Sequence, residues 1–374
     1  MTSPADDTGP AGTGPAAQGP RRALVVGTCL IGGSVALALR ARGWHVTGDD
    51  ADPERARAAV AAGVLDLVGD DAEAELAVVA TPAGAVAEVA NRLLADPGRR
   101  GDLVVTDVAG VKGPVVAAVP HPRFIGGHPM AGSEQVGLDG ADEDLFTGAT
   151  WVLTPTATTD PDAFARLQTV VTSVGADVVA LAPADHDRLV AVVSHVPHLV
   201  AATLMNAAAK GAEEHAALLR LAAGGFRDMT RVAAGHPGIW PDICADNAGA
   251  IVAALDQVLA DLGAMRQRVA AGDRVGLLDD LQRASTARRS LPARVPRPDR
   301  LAELRVPVPD REGVLAEITT LAGDLGVNIY DIEIAHSAEG PRGVLLLVVD
   351  GDQAAKLRDA VADRGYRCTV QVLA

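Results

Sequence analysis

Residues 23–26, Ala-Leu-Val-Val, form a short apolar run, and Gly27-Thr28-Cys29-Leu30-Ile31-Gly32-Gly33-Ser34 follows it directly. A helix-like stretch covers 35–42, and a second apolar run, Trp44 to Thr47, ends at Gly48-Asp49-Asp50. Strand, glycine turn, helix, strand and acid is the order of a dinucleotide-binding βαβ unit. No other pattern in the chain restricts its fold as strongly. In such a unit the pyrophosphate lies on the helix N-terminus, against the turn residues Gly27, Cys29, Leu30, Ile31 and Gly32. Asp50, about 20 residues beyond the turn, is placed for the ribose hydroxyls. Ala51 rather than an Arg follows it, which favours NAD over NADP. The second glycine position holds Cys29. Either a small side chain is accommodated there with a slightly displaced cofactor, or dinucleotide binding is weakened.

The alternation continues. Leu76 to Ala80 reads as a buried strand leading into Thr81-Pro82, and Leu103 to Asp107 as another leading into Val108-Ala109-Gly110-Val111-Lys112. Open α/β sheets bind ligands at the C-terminal ends of their strands, which makes Thr81 and Asp107 cofactor-site candidates. Lys112 reads equally as a functional cation and as a surface lysine. Trp151 to Thr154 and Asp177 to Leu181 complete the strands, and the first domain is expected to span 21–183.

Several classes of function are disfavoured. The net charge of −15 is unsuited to nucleic acid, so an anionic substrate has to be held by local Arg or His. Cys29, Cys244 and Cys368 are far apart, with no C-x-x-C; this argues against a disulfide framework or a zinc site and fits a reducing cytoplasm. No apolar run is expected to span a membrane. Residues 1–20, rich in Pro, Gly, Ala and Thr, lack the plan of a signal peptide and are expected to form a disordered tail.

Chemistry-bearing residues cluster in the middle of the chain. Gly126-Gly127-His128-Pro129 follows the apolar pair Phe124-Ile125, so His128 is expected in a turned, fixed backbone with Ser133 and Glu134 close by. After Pro183 the pattern turns helical. Asp187, Ser194 and His198 are spaced to share a helix face, with Pro197 expected to kink it. That polar stripe is either a solvated face or part of a site. Arg227 and Arg231, at i and i+4, are either two solvated arginines or a clamp for a carboxylate. A helix is expected from about Ile243 to Ala271, serving as core or as a dimer seam.

These motifs together resemble the prephenate dehydrogenases and their arogenate-using relatives. The resemblance runs in order through Gly27–Ser34, D-V-A-G-V-K (107–112), G-G-H-P-M-A-G-S-E (126–134), L-F-T-G-A-T-W-V-L-T-P (145–155), S-H-V-P-H (194–198), G-G-F-R-D-M-T-R (224–231) and Trp240. It implies a Rossmann domain followed by an all-helical dimerisation domain at 184–288, and hence a homodimer. It also implies that NAD takes hydride from the substrate ring carbon while His128 takes the proton of the ring hydroxyl. Ser194 and His198 would join His128 among the catalytic residues. Ser133, Glu134, Asp187, Arg227 and Trp240 would line the substrate pocket, with Arg231 holding a carboxylate. A base titrating near neutral suits histidine. The family pattern has Ser in many relatives where this chain has Gly110, which removes a hydroxyl beside the base.

Residues 289–299 read as a Pro/Arg-rich linker. Beyond it, 300–374 follows the order βαββαβ and resembles an ACT domain, a small α+β regulatory module. Pro309 to Leu315 and Val327-Asn328-Ile329 stand where the ligand loop is expected, so tyrosine feedback is one expectation and a ligand-free dimerising module the other. The expected activity is NAD-dependent oxidative decarboxylation of prephenate. The alternatives are the same chemistry on arogenate, or a non-catalytic amino-acid sensor in which Cys29 and Gly110 mark a decayed site.

Overall fold

The computed structural model describes residues 20–132, 137–215, 217–290, 301–309, 311–336 and 342–373. The expected tail up to residue 19, the expected linker from 291 on, and Ser133 and Glu134 lie outside them. The chain divides into two compact units. The first holds the described residues up to Val196 together with Gly235–Ala254. The second holds Pro197–Ala234 and the described residues from Leu255 on. The expected boundary at 183/184 is therefore not where the compact units divide.

The first unit is built on eight strands: β1 (Arg22–Val26), β2 (His45–Asp49), β3 (Leu67–Val68), β4 (Leu76–Val79), β5 (Val104–Asp107), β6 (Phe124–Pro129), β7 (Thr150–Thr154) and β8 (Asp177–Ala180). Their order is β3-β2-β1-β4-β5-β6-β7-β8. Pairing is parallel except between β6 and β7. Helices α1 (Leu30–Arg40), α2 (Pro53–Ala61), α3 (Ala83–Ala95), α4 (Gly113–Ala118) and α5 (Pro161–Ser173) connect them. Strands covered on both faces have to be apolar throughout, and β1 shows it. Ala23 and Val25 join the core holding Leu39, Phe146 and Leu153, while Leu24 and Val26 join the one holding Leu93, Leu103 and Phe124. The order reverses direction between β1 and β4, which opens a crevice at their C-terminal ends.

Three local expectations change. His128 is not in a turn but inside β6, paired with Val152 of β7. The helix expected from Ile243 is two helices, α9 (Trp240–Asp246) and α10 (Ala248–Ala271), with Asn247 between them at φ −116°, ψ 26°. The kink expected at Pro197 is a five-residue π turn, Ala191–His195, between α6 (Pro183–Val190) and α7 (Val196–Glu214). A proline cannot donate to the preceding turn, and a wide turn just ahead of it relieves the mismatch.

The second unit contains α8 (Gly224–Thr230), α11 (Arg274–Arg289) and a four-stranded antiparallel sheet. Its elements are β9 (Leu301–Pro309), α12 (Val314–Asp324), β10 (Ile329–His336), β11 (Arg342–Asp350), α13 (Gly351–Asp363) and β12 (Thr369–Leu373). The strand order is β10-β11-β9-β12. Alternate residues Ala302, Leu304, Val306 and Val308 of β9 enter a core shared with Ile318 and Leu357. The expected βαββαβ order is observed. By length and composition alone, the helical stretches Pro183–Glu213 and Ala248–Ala271 are apolar enough to cross a membrane. The expectation that no run reaches that length is corrected; alanine-rich helices raise mean hydropathy without large side chains. The first stretch begins with Asp185, His186, Asp187 and Arg188, a poor start for a bilayer span.

Candidate active site

The glycine turn is built for close approach. Gly27 has φ +96°, and a Cβ there would lie 2.5 Å from the Ala80 carbonyl oxygen. A Cβ on Gly32 would lie 1.9 Å from the Gly27 oxygen, so α1 packs on the turn only without a side chain. Cys29 is different: its φ of −78° is ordinary for any residue, and it is exposed at the N-cap of α1. The backbone does not demand glycine at this position.

Asp50 is held by the turn. Its Oδ2 accepts the Thr28 N–H at 2.8 Å and the Thr28 hydroxyl at 3.0 Å, and its Oδ1 accepts the Asp52 N–H at 3.0 Å. Burial opposes its ionisation, but these bonds and the Arg55 guanidinium outweigh that and lower its pKa. Arg55 was not anticipated. It reaches from α2 to within 3.4 Å of Asp50 and 3.5 Å of the Cys29 sulfur, and its charge is engaged by Asp50 and Asp52. Beyond β4, the Thr81 Oγ1 is buried with no hydrogen-bond partner among the described residues. A buried hydroxyl of this kind calls for a polar partner. The cradle at Gly27, the anchored Asp50 and the orphaned Thr81 fit a dinucleotide.

Next along the sheet is a buried ion pair. Lys112 and Asp107 are both fully buried and bonded through Nζ and Oδ2. The surface reading of Lys112 is thereby overturned. Burial pulls its pKa down, and the Asp107 carboxylate pulls it back. Asp107 also accepts the N–H of Ala109 at 2.9 Å and of Gly127 at 3.1 Å, and Lys112 Nζ donates to the Gly127 carbonyl at 2.7 Å.

His128 heads a chain of three side chains. Its Nδ1 is 2.8 Å from His186 Nε2, and His186 Nδ1 is 2.8 Å from Asp187 Oδ1. Asp187 also accepts the backbone N–H groups of Lys112 and Gly113, each at 2.7 Å. A carboxylate only accepts, so His186 carries its proton on Nδ1 and offers the Nε2 lone pair. His128 then donates from Nδ1, and its own lone pair is left on Nε2. That nitrogen faces the loop after β5, where a Cβ on Gly110 would lie 3.8 Å away. Burial, and then the Lys112 charge, push the His128 pKa down to about 3. The expectation of a base titrating near neutral is corrected: this imidazole is neutral over the whole physiological range. Burial likewise opposes ionisation of Asp187, but the bonds from His186, Lys112 and Gly113 prevail and lower its pKa.

The π turn changes which residues join Asp187. One extra residue per turn carries its buried face on to His195, while Ser194 is half-buried. Asn247 links the two, donating to the Asp187 carbonyl at 2.8 Å and lying 3.2 Å from His195 Nδ1. Trp240 stands edge-on to His195, with ring centroids 6.2 Å apart. Asp187, of the expected set with Ser194 and His198, is joined through Asn247 to His195. His186 and Asn247 were missed by sequence reasoning. The run His186-Asp187 was a usable signal for the former; nothing local marked the latter.

His198, Arg227 and Arg231 belong to the second unit. Burial lowers the His198 pKa. Arg227 and Arg231 are both exposed, and Arg227 Nε donates to the Ala222 carbonyl at 3.2 Å. A 3-10 turn begins at Arg231, so the two do not share one continuous helix.

Residues 35–180 match the family model of the prephenate dehydrogenase nucleotide-binding domain, and 182–283 match that of the prephenate dehydrogenase dimerization domain. A prephenate dehydrogenase of Bacillus subtilis is 34% identical over 89% of this chain and 93% of its own length. This chain belongs to the prephenate dehydrogenase family. A cyclohexadienyl dehydrogenase of Zymomonas mobilis is 33% identical over 52% of this chain and 68% of its own. Among solved structures, the arogenate dehydrogenase of Synechocystis is similar at TM-score 0.64 and 34% identity, covering 71% of this chain and 98% of that one. The Aquifex aeolicus prephenate dehydrogenase, solved with hydroxyphenyl propionate and NAD+, is similar at TM-score 0.67 and 29% identity, covering 73% and 99%.

Proposed function

We propose that this chain is an NAD-dependent prephenate dehydrogenase that oxidises and decarboxylates prephenate to 4-hydroxyphenylpyruvate. The observation that carries this reading is the His128–His186–Asp187 chain at the C-terminal edge of the sheet, which leaves the His128 Nε2 lone pair facing the loop after β5. Bound at the glycine turn through Gly27, Leu30, Ile31 and Gly32, beside Cys29, Asp50, Thr81 and Asp107, NAD supplies the hydride acceptor. His128 takes the ring hydroxyl proton on Nε2. The charge it gains is shared through Nδ1–H with His186 and stabilised by Asp187, so a base that is hard to protonate in the resting site becomes competent as the alcohol proton leaves. Loss of the ring carboxylate aromatises the product. Arg231 holds a substrate carboxylate, with Arg227, Trp240, Ser133 and Glu134 lining the pocket and Ser194 and His198 assisting; these assignments rest on the family motifs.

The exposed apolar residues Leu259, Leu262, Val269, Leu278 and Leu281 of α10 and α11 support a homodimer through these helices, as the name of the matching family model suggests. The βαββαβ module is read as an ACT-like domain binding tyrosine, and the protein as cytoplasmic. Arogenate is the alternative substrate. Reduction of NAD is followed with prephenate and arogenate separately, each with and without tyrosine. Turnover of prephenate supports the reading; turnover of arogenate alone transfers it to that substrate. No turnover by folded protein refutes it, and turnover indifferent to tyrosine refutes the feedback role.

A further inference from the structure

We propose that the buried Asp107–Lys112 pair is the positioning device of His128, serving as a side-chain rung where the main-chain ladder between β5 and β6 stops. The proposal rests on His128 being the base. Main-chain pairing of β5 with β6 ends at Thr106 and Ile125, yet β6 runs on to Pro129. Within a strand, the N–H and C=O of one residue point to the same side, and those of Gly127 face the space beyond the end of β5. Left bare, these two buried peptide groups would forfeit the hydrogen bonds that water gives them in the unfolded chain. Asp107 accepts the N–H and Lys112 donates to the C=O, so the two side chains replace the missing strand neighbour.

Three features favour positioning over simple satisfaction of a buried backbone. Gly127 has no room to move: a Cβ there would meet the Asp107 carbonyl at 2.6 Å and the Thr106 hydroxyl at 2.8 Å. Lys112 also holds the far end of the proton chain, because its own N–H donates to Asp187 Oδ1 at 2.7 Å. One residue therefore fixes the peptide before His128 with its side chain and the carboxylate behind His186 with its main chain. A hydrophobic pair would fill the same volume without setting that separation. The titratable groups around His128 are Lys112, Asp187, His186 and His195, and of these only Lys112 is tied to both ends of the chain.

The test is the double variant Lys112→Met with Asp107→Asn, which is neutral and of similar volume, in the full-length protein. A displacement of the base by about 1 Å costs on the order of 10²-fold in rate. The expected result is a fall of that size in kcat, with the acid limb of the kcat profile moved to higher pH as the Lys112 charge is lost. A folded variant with the parental kcat and acid limb overturns the proposal. If the double variant does not fold, Asp107→Asn alone keeps the Lys112 to Gly127 bond and should show a smaller fall in kcat; the parental kcat overturns the proposal there too. Carbethoxylation of His128 by diethyl pyrocarbonate, followed by peptide mass, needs no substrate. It separates failure of this proposal from failure of the functional reading: faster modification in the variants supports positioning even if no ring substrate is turned over, and an unchanged rate in both overturns it.

Discussion

Asp187→Asn is the sharpest probe of the proton chain. Asp187 Oδ1 serves two donors, the Lys112 N–H and the His186 Nδ1–H, and Oδ2 serves the Gly113 N–H. An asparagine offers one accepting oxygen and one donating nitrogen. With its oxygen toward Lys112 and His186, its amide hydrogens meet the Gly113 N–H, and a donor faces a donor. With its oxygen toward Gly113, the amide donates to His186 Nδ1, which pushes the His186 proton to Nε2. His128 must then accept at Nδ1 and carry its own proton on Nε2, the atom required as base. Hydrogen bonds to charged groups contribute about 1.5–3 kcal/mol each, so losing one or two puts the stability loss near 2–4 kcal/mol. Inverting the tautomer at a base has cost about 10⁴-fold in the serine-protease example of the same substitution, and kcat/KM should fall by about 10²- to 10⁴-fold. Initial rates of NAD reduction and a urea melt on the same preparation measure both. A variant that is destabilised yet keeps its kcat within about threefold would refute the tautomer argument, since a rate change that small is under 1 kcal/mol.

Other outcomes follow from the same geometry. Gly110→Ser should raise kcat, because a Cβ at 110 fits in ordinary van der Waals contact 3.8 Å from His128 Nε2 and a hydroxyl there can bond the base; steady-state rates that do not change would show that the hydroxyl contributes nothing. Gly32→Ala should abolish NAD binding measured by fluorescence titration, because its Cβ would lie 1.9 Å from the Gly27 oxygen. The His128 pKa, near 6.5 when unfolded and about 3 when folded, makes the unfolded chain the better proton binder between those values. Stability should therefore fall as pH drops below about 6.5, by up to about 1.4 kcal/mol per unit for this group. Urea midpoints at pH 7, 6 and 5 measure the slope, and His128→Gln should flatten it. Arg231→Ala should raise the substrate KM with little change in kcat; a fall in kcat alone would remove Arg231 as a carboxylate clamp.

What could be seen in the sequence was what repeats or what glycine enforces. Alternating apolar runs and the Gly27–Gly32 turn specify a doubly wound sheet, because close packing at those two positions tolerates nothing larger. The βαββαβ order of the last module was equally plain from its alternating strand β9. His128 was found because glycines and a proline frame it. His186 was passed over because it precedes Asp187 on what looked like an exposed helix start, and its burial depends on α6 packing beside α4. The change from Ser194 to His195 depends on a π turn, which helical periodicity cannot show. Lys112 stayed open between a functional cation and a surface lysine because one of its two partners, the Gly127 carbonyl, is a backbone atom from a distant strand and carries no side-chain signature.

The first unit is discontinuous, and this has a consequence for inheritance and engineering. The parts that hold the cofactor end before residue 180, but His186, Asp187, His195 and Asn247 come from later sequence, the last after a long excursion into the second unit. A nucleotide-binding half grafted from a relative at the seam between the two matching regions would arrive with His128 and without its proton chain. An exchange that keeps the hydrogen-bonded network whole has to move residues 186–195 and 247 together with the sheet.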